Sequence, residues 1–375
     1  MKRRLKVLHF ISFAGRSPFF CAVAEHANRD DFEIIVASLS PTGPLLDDMK
    51  ERGIQTFALD CTRRAQYPRA VFRLAAWLRR ERIDVIQTHL FDASLVGLMA
   101  ARLARTPLSI FTGHHSHEIP LYRRRALLWA DCLSSRWLSH HVIAHSVDMK
   151  EIFVQYEGVP PEKIAVIPLG FELDRWNPST AGRERVRTEL SLGGKVVFGA
   201  VGRMYWIKDY PTLFKAFAPI AAKMRETMLL VVGDGQDREQ LERLARELSL
   251  EERIIFTGQR SDIVDVLSAV DVFVHPSLAE SFGQVIVEAL ALGKPVVSTD
   301  VGVSREIIEN GVNGFLVPTG NSAALQEAME KILRLRDGWE EMGRNGQKRV
   351  QGFAVEKIEP AFEAQYVAWL KERRS

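Results

Sequence analysis

The sequence predicts an α/β protein built of two doubly wound, Rossmann-like domains facing a central cleft. Three observations predict it. Short apolar runs rich in Val, Ile, Phe and Thr alternate with segments of helical spacing. The alternation breaks near residues 168–178 and restarts at residue 196. The 375 residues, 46% of them hydrophobic, fit two buried cores better than one.

The first set of strand-like runs covers residues 5–12, 32–39, 54–60, 84–90, 108–113 and 141–146. Between them lie helical segments such as 69–82, with Val71, Phe72, Ala75 and Leu78 on one side, and 93–103. Apolar strands separated by helices imply a parallel sheet covered on both faces. The second set covers residues 196–201, 228–232, 253–257, 271–275 and 295–299, each followed by a helical segment. Between the sets, LGFELDRWNP follows the strand-like KIAVIP and is punctuated by Gly and Pro, as a linker is. The expected domains are 1–172 and 173–355. No repeat or low-complexity segment interrupts them.

Bulk composition narrows the class. No apolar run reaches membrane-spanning length, and Lys6 and His9 interrupt what would be the apolar core of a signal peptide in MKRRLKVLHFISF. Cys21, Cys61 and Cys132 are far apart without CxxC spacing, which argues against a disulfide framework or zinc site and for a reducing cytosol. The net charge is only +3, but residues 1–175 hold 24 Lys/Arg against 19 Asp/Glu and nine of the ten histidines, so the halves are expected to differ in task. Near-neutrality and the lack of aromatic readout motifs exclude a nucleic-acid partner.

In the first domain, strand one runs into SFAGRSPFF, where only Gly15 is present and no GxGxxG fingerprint for a dinucleotide exists. THLFDA, with His89, and TGHHSHE, with His114, His115 and His117, each follow a strand and are expected to face one crevice. Their spacing fits neither a helical HExxH pair nor a zinc finger. Structural histidines and histidines acting on a substrate remain the two readings. The segment YRRRALLWADCLSSRWLSHH places Arg123, Arg124, Arg125 and Arg136 among Leu127, Leu128, Trp129, Trp137 and Leu138. It reads as an amphipathic helix whose charged side is solvated, or as a contact for an anionic membrane surface.

In the second domain, VVFGAVGRMYWIKDYP ends a strand in a Gly202-Arg203 turn and sets Lys208 just before a helix begun by Pro211. Two cations at a strand's carboxyl end suit phosphate oxygens. MLLVVGDG, with Gly233, Asp234 and Gly235, and FTGQRSD, with Arg260, are further strand exits. Convergence of the exits at Gly202, Gly233, Gly258 and His275 favours a diphosphate ligand. The central stretch is HPSLAESFGQVIVEALAL, residues 275–292. Pro276, Ser277, Ser281 and Gly283 form a loop feeding a helix N-terminus, which attracts anions. The run from Val285 to Leu292 is apolar except at Glu288, so this carboxylate requires either an ion-pair partner or a ligand hydroxyl. Glu280 sits at the mouth of the helix.

These residues resemble the retaining nucleotide-sugar glycosyltransferases of the GT-B fold, in particular the family 4 (group 1) type. The likeness covers nearly the whole chain. ESFGQVIVEALALGKPVVSTDVGVSREIIENGVNGFLV is similar to that family's Glu-x7-Glu motif and its tail, while VIPLGFELDRW, VGRMYWIKDYPTLFKAF and VVGDGQDREQLERLARELSL follow the family order. The resemblance implies Arg203 and Lys208 on the donor diphosphate, Glu288 on the ribose hydroxyls, Glu280 on the donor sugar, and the amides near Ser281, Phe282 and Gly283 on the departing phosphate. Gly202, Gly233, Asp234, Gly235, Arg260 and Val285 complete the expected donor side, with Arg260 near the base. His114, with His115 as fallback, is the expected histidine near the sugar, and Gly15 and His89 join it on the acceptor side.

The family usually carries a Gly pair where Arg16-Ser17-Pro18 follows Gly15 here, which leaves acceptor handling open. The resemblance further implies sugar transfer from a nucleotide donor to a glycan or lipid-linked acceptor, as in polysaccharide or lipopolysaccharide synthesis. It implies no metal or other cofactor, a cytoplasmic enzyme peripheral to the inner face of the plasma membrane, and a C-terminal helix over 356–375 crossing back to the first domain. A sugar-nucleotide epimerase and a non-catalytic nucleotide-sugar-binding protein are the competing readings.

Overall fold

A computed structural model describes residues 3–15, 17–113 and 125–373. The chain falls into two compact units, one reaching Phe171 and resuming at Phe353, the other spanning Glu172–Gly352.

In the first unit, strands β1 (Leu5–Ile11), β2 (Phe32–Ser38), β3 (Gln55–Ala58), β4 (Val85–His89), β5 (Leu108–Thr112), β6 (His141–Ala144) and β7 (Ile164–Val166) form one sheet. Its order is β3-β2-β1-β4-β5-β6-β7, and every pairing is parallel. The chain works outward from β1 and then returns to β4 on β1's other side. That reversal opens a crevice at the carboxyl ends of β1 and β4, where doubly wound sheets bind ligands. Leu8, Phe10, Ile35 and Ile86 are fully buried, as the near-continuous apolar strands require.

The helix Val355–Glu372 belongs to this unit and buries Ile358, Phe362, Tyr366, Trp369 and Leu370 along one face. Trp369 stacks on His141 with ring centroids 4.2 Å apart, and the Tyr366 hydroxyl donates to Gln87 Oε1 on β4. No helix among the described residues is long and apolar enough to cross a membrane.

The second unit holds β8 (Val196–Val201), β9 (Thr227–Val232), β10 (Ile254–Gly258), β11 (Val272–His275), β12 (Val296–Thr299) and β13 (Gly314–Val317). The order β10-β9-β8-β11-β12-β13 is again all parallel, with its reversal between β8 and β11. Phe198, Phe214 and Phe217 are fully buried in one cluster with Val272 and Val274 of β11.

Two local features depart from expectation. β13 has only four residues, two of them half-buried, and opens on a glycine whose Cβ would lie 2.0 Å from Val296 O. So short an edge strand has no periodicity to read. The expected amphipathic helix is α-helical over Arg125–Cys132 but π-helical over Leu133–Leu138. The Ser139 amide reaches back to Ser134 O at 3.0 Å, and Lys163 Nζ takes the carbonyls of Ser135 (2.7 Å) and Arg136 (2.8 Å), drawing them out of the α pattern.

Candidate active site

The exits of β8, β9, β10 and β11 lie side by side because those strands are neighbours in the sheet. The Gly202 amide donates to Val232 O (3.0 Å) and the Gly233 amide to Gly258 O (2.9 Å). Glycine is required where these turns meet. Gly233 has φ +129°, and a Cβ there would stand 2.1 Å from Gly202 O, while one on Gly235 would stand 2.2 Å from Met204 O. The Asp234 side chain serves the same turn by accepting the Gly235 amide at 2.8 Å.

After β8 the chain makes a 3-10 turn, Trp206–Lys208, and Asp209, at φ 45°, starts the helix Tyr210–Lys223 with Pro211 in its first turn. The Leu278 amide bonds Ile207 O at 2.8 Å, fastening this turn to the loop after β11. Lys208 is thereby set against Glu280, and its ammonium donates to Glu280 Oε1. Ser277 Oγ donates to the same oxygen at 2.9 Å. His275 Nε2 lies 3.0 Å from it, at ion-pair distance but misaligned for a hydrogen bond. Burial alone would push the Glu280 carboxyl up, but Lys208 and His275 outweigh it and hold the group well below the usual carboxylate range. Tyr210 donates its hydroxyl to Gly202 O at 3.0 Å, and burial, with Glu280 nearby, pushes that hydroxyl's pKa upward.

Arg203 is exposed, with its guanidinium 4.9 Å above the Tyr205 ring and no carboxylate partner among the described residues. Beyond Glu280, Gly283 at φ +91° caps the helix Gln284–Ala291; its carbonyl accepts the Ile286 amide at 3.0 Å, and the amides of Gln284 and Val285 have no acceptor within the helix. Phe282 is buried and its carbonyl accepts the Val303 amide at 2.7 Å. Gly302 makes that contact possible, since a Cβ would stand 2.5 Å from Phe282 O. Ser281 and Val285 are half-buried on either side. Glu288 sits in the helix's second turn, with neither ion pair nor hydrogen bond to its carboxylate among the described residues. Burial pushes its pKa up to about 7. Of the two readings for this carboxylate, the internal ion pair is therefore absent.

Other expected residues fare differently. Arg260 does not reach for a ligand. Its guanidinium is held by Glu189 (2.5 and 3.0 Å) and Asp262 (2.8 Å), an ion-pair cluster that answers its charge within the fold. His89 does not line an open crevice either. It is fully buried at the end of β4, 3.1 Å from His9 Nδ1 and packed against Phe19 and Phe20. Gly15 is half-buried, and a Cβ there would touch the Phe13 ring at 3.0 Å. His114, His115, His117 and the side chains of Arg123, Arg124, Arg125, Leu127 and Leu128 lie outside the described residues. His275 and Ser277 had no role assigned from sequence. Their only sequence signal is their place at the exit of a strand that carries Glu280.

Residues 183–349 match the family described as glycosyl transferases group 1, and residues 19–175 match glycosyltransferase family 4. A GDP-mannose-dependent alpha-mannosyltransferase of Mycobacterium tuberculosis (strain CDC 1551 / Oshkosh) is 30% identical over 82% of this chain and 80% of its own. A UDP-Gal:alpha-D-GlcNAc-diphosphoundecaprenol alpha-1,3-galactosyltransferase of Escherichia coli is 28% identical over 70% of each chain. Anabaena HepE, solved in complex with UDP-glucose, superposes with a TM-score of 0.84 at 25% identity, covering 97% of this chain and 100% of its own. With two doubly wound parallel sheets and matches to both families, the chain is a member of the group 1, family 4 glycosyltransferases, of the GT-B architecture.

Proposed function

We propose that the protein transfers a sugar, with retention of configuration, from a nucleoside-diphosphate donor to a glycan or lipid-linked acceptor of cell-surface polysaccharide or lipopolysaccharide synthesis. The observation that carries this reading is the grouping of Lys208, paired to Glu280, with a helix N-terminus and a half-buried Glu288, which has no partner among the described residues, at the carboxyl end of one sheet. In this scheme Arg203, Lys208 and the helix amides face the diphosphate, Glu280 the sugar hydroxyls and Glu288 the ribose. As the glycosyl C–O bond breaks, the sugar gains oxocarbenium character and the electron pair moves onto the leaving phosphate. Preorganised positive potential there lowers the barrier without calling on a metal ion. Supporting names among relatives are those of a lipid-linked galactosyltransferase and a capsular polysaccharide biosynthesis glycosyltransferase.

A panel of UDP-, GDP- and ADP-sugars tests the proposal. Nucleotide release that rises with added acceptor, with the product anomer matching the donor by NMR, is the expected result. An isomerised donor, or binding without turnover, overturns it. Full turnover is expected in EDTA.

A second reading concerns where the enzyme works. Trp129, Trp137 and Tyr156 are 72%, 63% and 48% exposed along a groove of about 630 Å³, and Arg136 lies 5.0 Å over the Trp137 ring. Burial pushes Asp131 and Glu157 beside them up to about 8 and about 7, which reduces the negative charge of this face at neutral pH. Aromatic rings among arginines suit an anionic membrane surface. Retention on vesicles of anionic phospholipid at low salt, lost in a Trp129→Ser/Trp137→Ser variant, is expected; failure of the unaltered protein to bind removes this reading.

A further inference from the structure

Glu280 is held from three directions at one oxygen. Lys208 Nζ, Ser277 Oγ and His275 Nε2 all converge on Oε1, and none of the described residues bonds Oε2. Such a carboxylate presents its second oxygen in a fixed direction, which is what orienting a sugar hydroxyl requires. The three holders differ in what a donor does to them. A diphosphate arriving between Arg203 and Lys208 draws the ammonium's charge toward itself, weakening the one full ion pair Glu280 has. Ser277 keeps its hydrogen bond but brings no charge.

His275 stands behind, 2% exposed at the end of β11, where Thr299 Oγ1 donates to its carbonyl at 3.2 Å and Phe273 stacks beside it. Burial favours its neutral imidazole, and the charged groups acting on it are Glu280, which favours the proton, and Lys208, which opposes it. Both influences shift toward the protonated ring as Lys208 turns away: the opposing cation recedes and the carboxylate loses its partner.

We propose that His275 is a positioning residue that takes over Glu280 when Lys208 engages the donor diphosphate, accepting a proton from solvent to become the imidazolium partner of that carboxylate. The proton adds to the free ring nitrogen and no bond to substrate forms or breaks. The inference rests on the donor-site reading given above, and deepens it. His275 does not touch the donor; it acts through Glu280.

The experiment uses the full chain with UDP, UDP-glucose and GDP-mannose as probes. Calorimetric titrations in buffers of different ionisation enthalpy are expected to show proton uptake on binding near pH 7 in the unaltered protein and none in His275→Gln or His275→Phe. Donor KM is expected to stay within about threefold in both variants, while kcat falls at least about tenfold in both His275→Phe and His275→Gln, since neither side chain can become the cation that pairs with Glu280. Recovery of kcat to the unaltered value in His275→Gln, or unaltered kcat in His275→Phe, overturns the proposal. If His275→Phe does not fold, the calorimetry on His275→Gln decides, and proton uptake equal to that of the unaltered protein overturns it. Failure of the unaltered protein to bind any of the probes removes the donor-site reading, an outcome distinct from normal binding without proton uptake, which removes only the role of His275.

Discussion

The Lys208 ammonium and the Glu280 carboxylate, 72 positions apart in the chain, are an ion pair, with Lys208 22% and Glu280 13% exposed at their side chains. The pair sets the most direct prediction. Lys208→Met keeps the stem and removes the charge, leaving Glu280 with Ser277 and His275. Its carboxyl pKa then rises and the diphosphate loses a cation. A loss of about 10²–10³ in kcat/KM is expected. Steady-state kinetics within twofold of the unaltered enzyme would sink the assignment of Lys208 to the leaving group.

Glu288 gives a prediction with opposite effects on stability and binding. Its folded pKa is raised by burial to about 7, above the ordinary 4.5, so folding favours the neutral form. The destabilisation this causes grows as pH rises from about 4.5 and is complete above about 7. Glu288→Gln is therefore expected to melt a few degrees higher than the unaltered protein at pH 8, a gain on the order of 1–3 kcal/mol, with a smaller gain at pH 5. Donor affinity is expected to fall about tenfold or more in the same variant as the ribose exchanges a charged two-oxygen acceptor for a neutral amide. A lower melting temperature at pH 8 contradicts the burial argument, and unaltered donor affinity contradicts the ribose role.

Arg260 is expected to behave as a structural residue. Arg260→Ala breaks its bonds to Glu189 and Asp262, and because Glu189 is 40% exposed solvent screening keeps the loss of stability small. Denaturant titration should register it. UDP and GDP affinities should stay within twofold, and a change in base preference would return Arg260 to the donor site.

Gly233→Ala tests the strand exits. The new methyl meets Gly202 O at 2.1 Å and the backbone holds φ +129°, so the exits of β8 and β9 must separate. A loss of about 1–3 kcal/mol is expected, with donor binding weakened because Arg203 follows Gly202 directly. By contrast, Gly193→Ala, where a Cβ meets nothing within 4 Å, should be close to neutral. Equal stability of the two variants would show that the close approach is not needed.

The alternation of apolar strands with amphipathic helices was legible from sequence because burial repeats with the period of the backbone itself, a local property. So were the glycine exits and the buried Glu288, since a single charge in an all-apolar helical run marks itself. What the side chains pair with was not legible. Arg260 and Glu189 are 71 positions apart, Lys208 and Glu280 are 72, and only the strand order β10-β9-β8-β11 brings such groups together. Hence the same reading that placed Lys208 beside Glu280's loop also sent Arg260 toward a ligand, when the fold had already supplied its carboxylates. It likewise put His89 at an open crevice, although β1 presents His9 and the following helix presents two phenylalanines to cover it. The sequence by itself determined the elements and the chemistry at the strand ends. Only the tertiary structure decided which charges are answered within the fold and which, like Glu288 and Arg203, have no partner among the described residues, because that is set by contacts across the sheet and not by spacing along the chain.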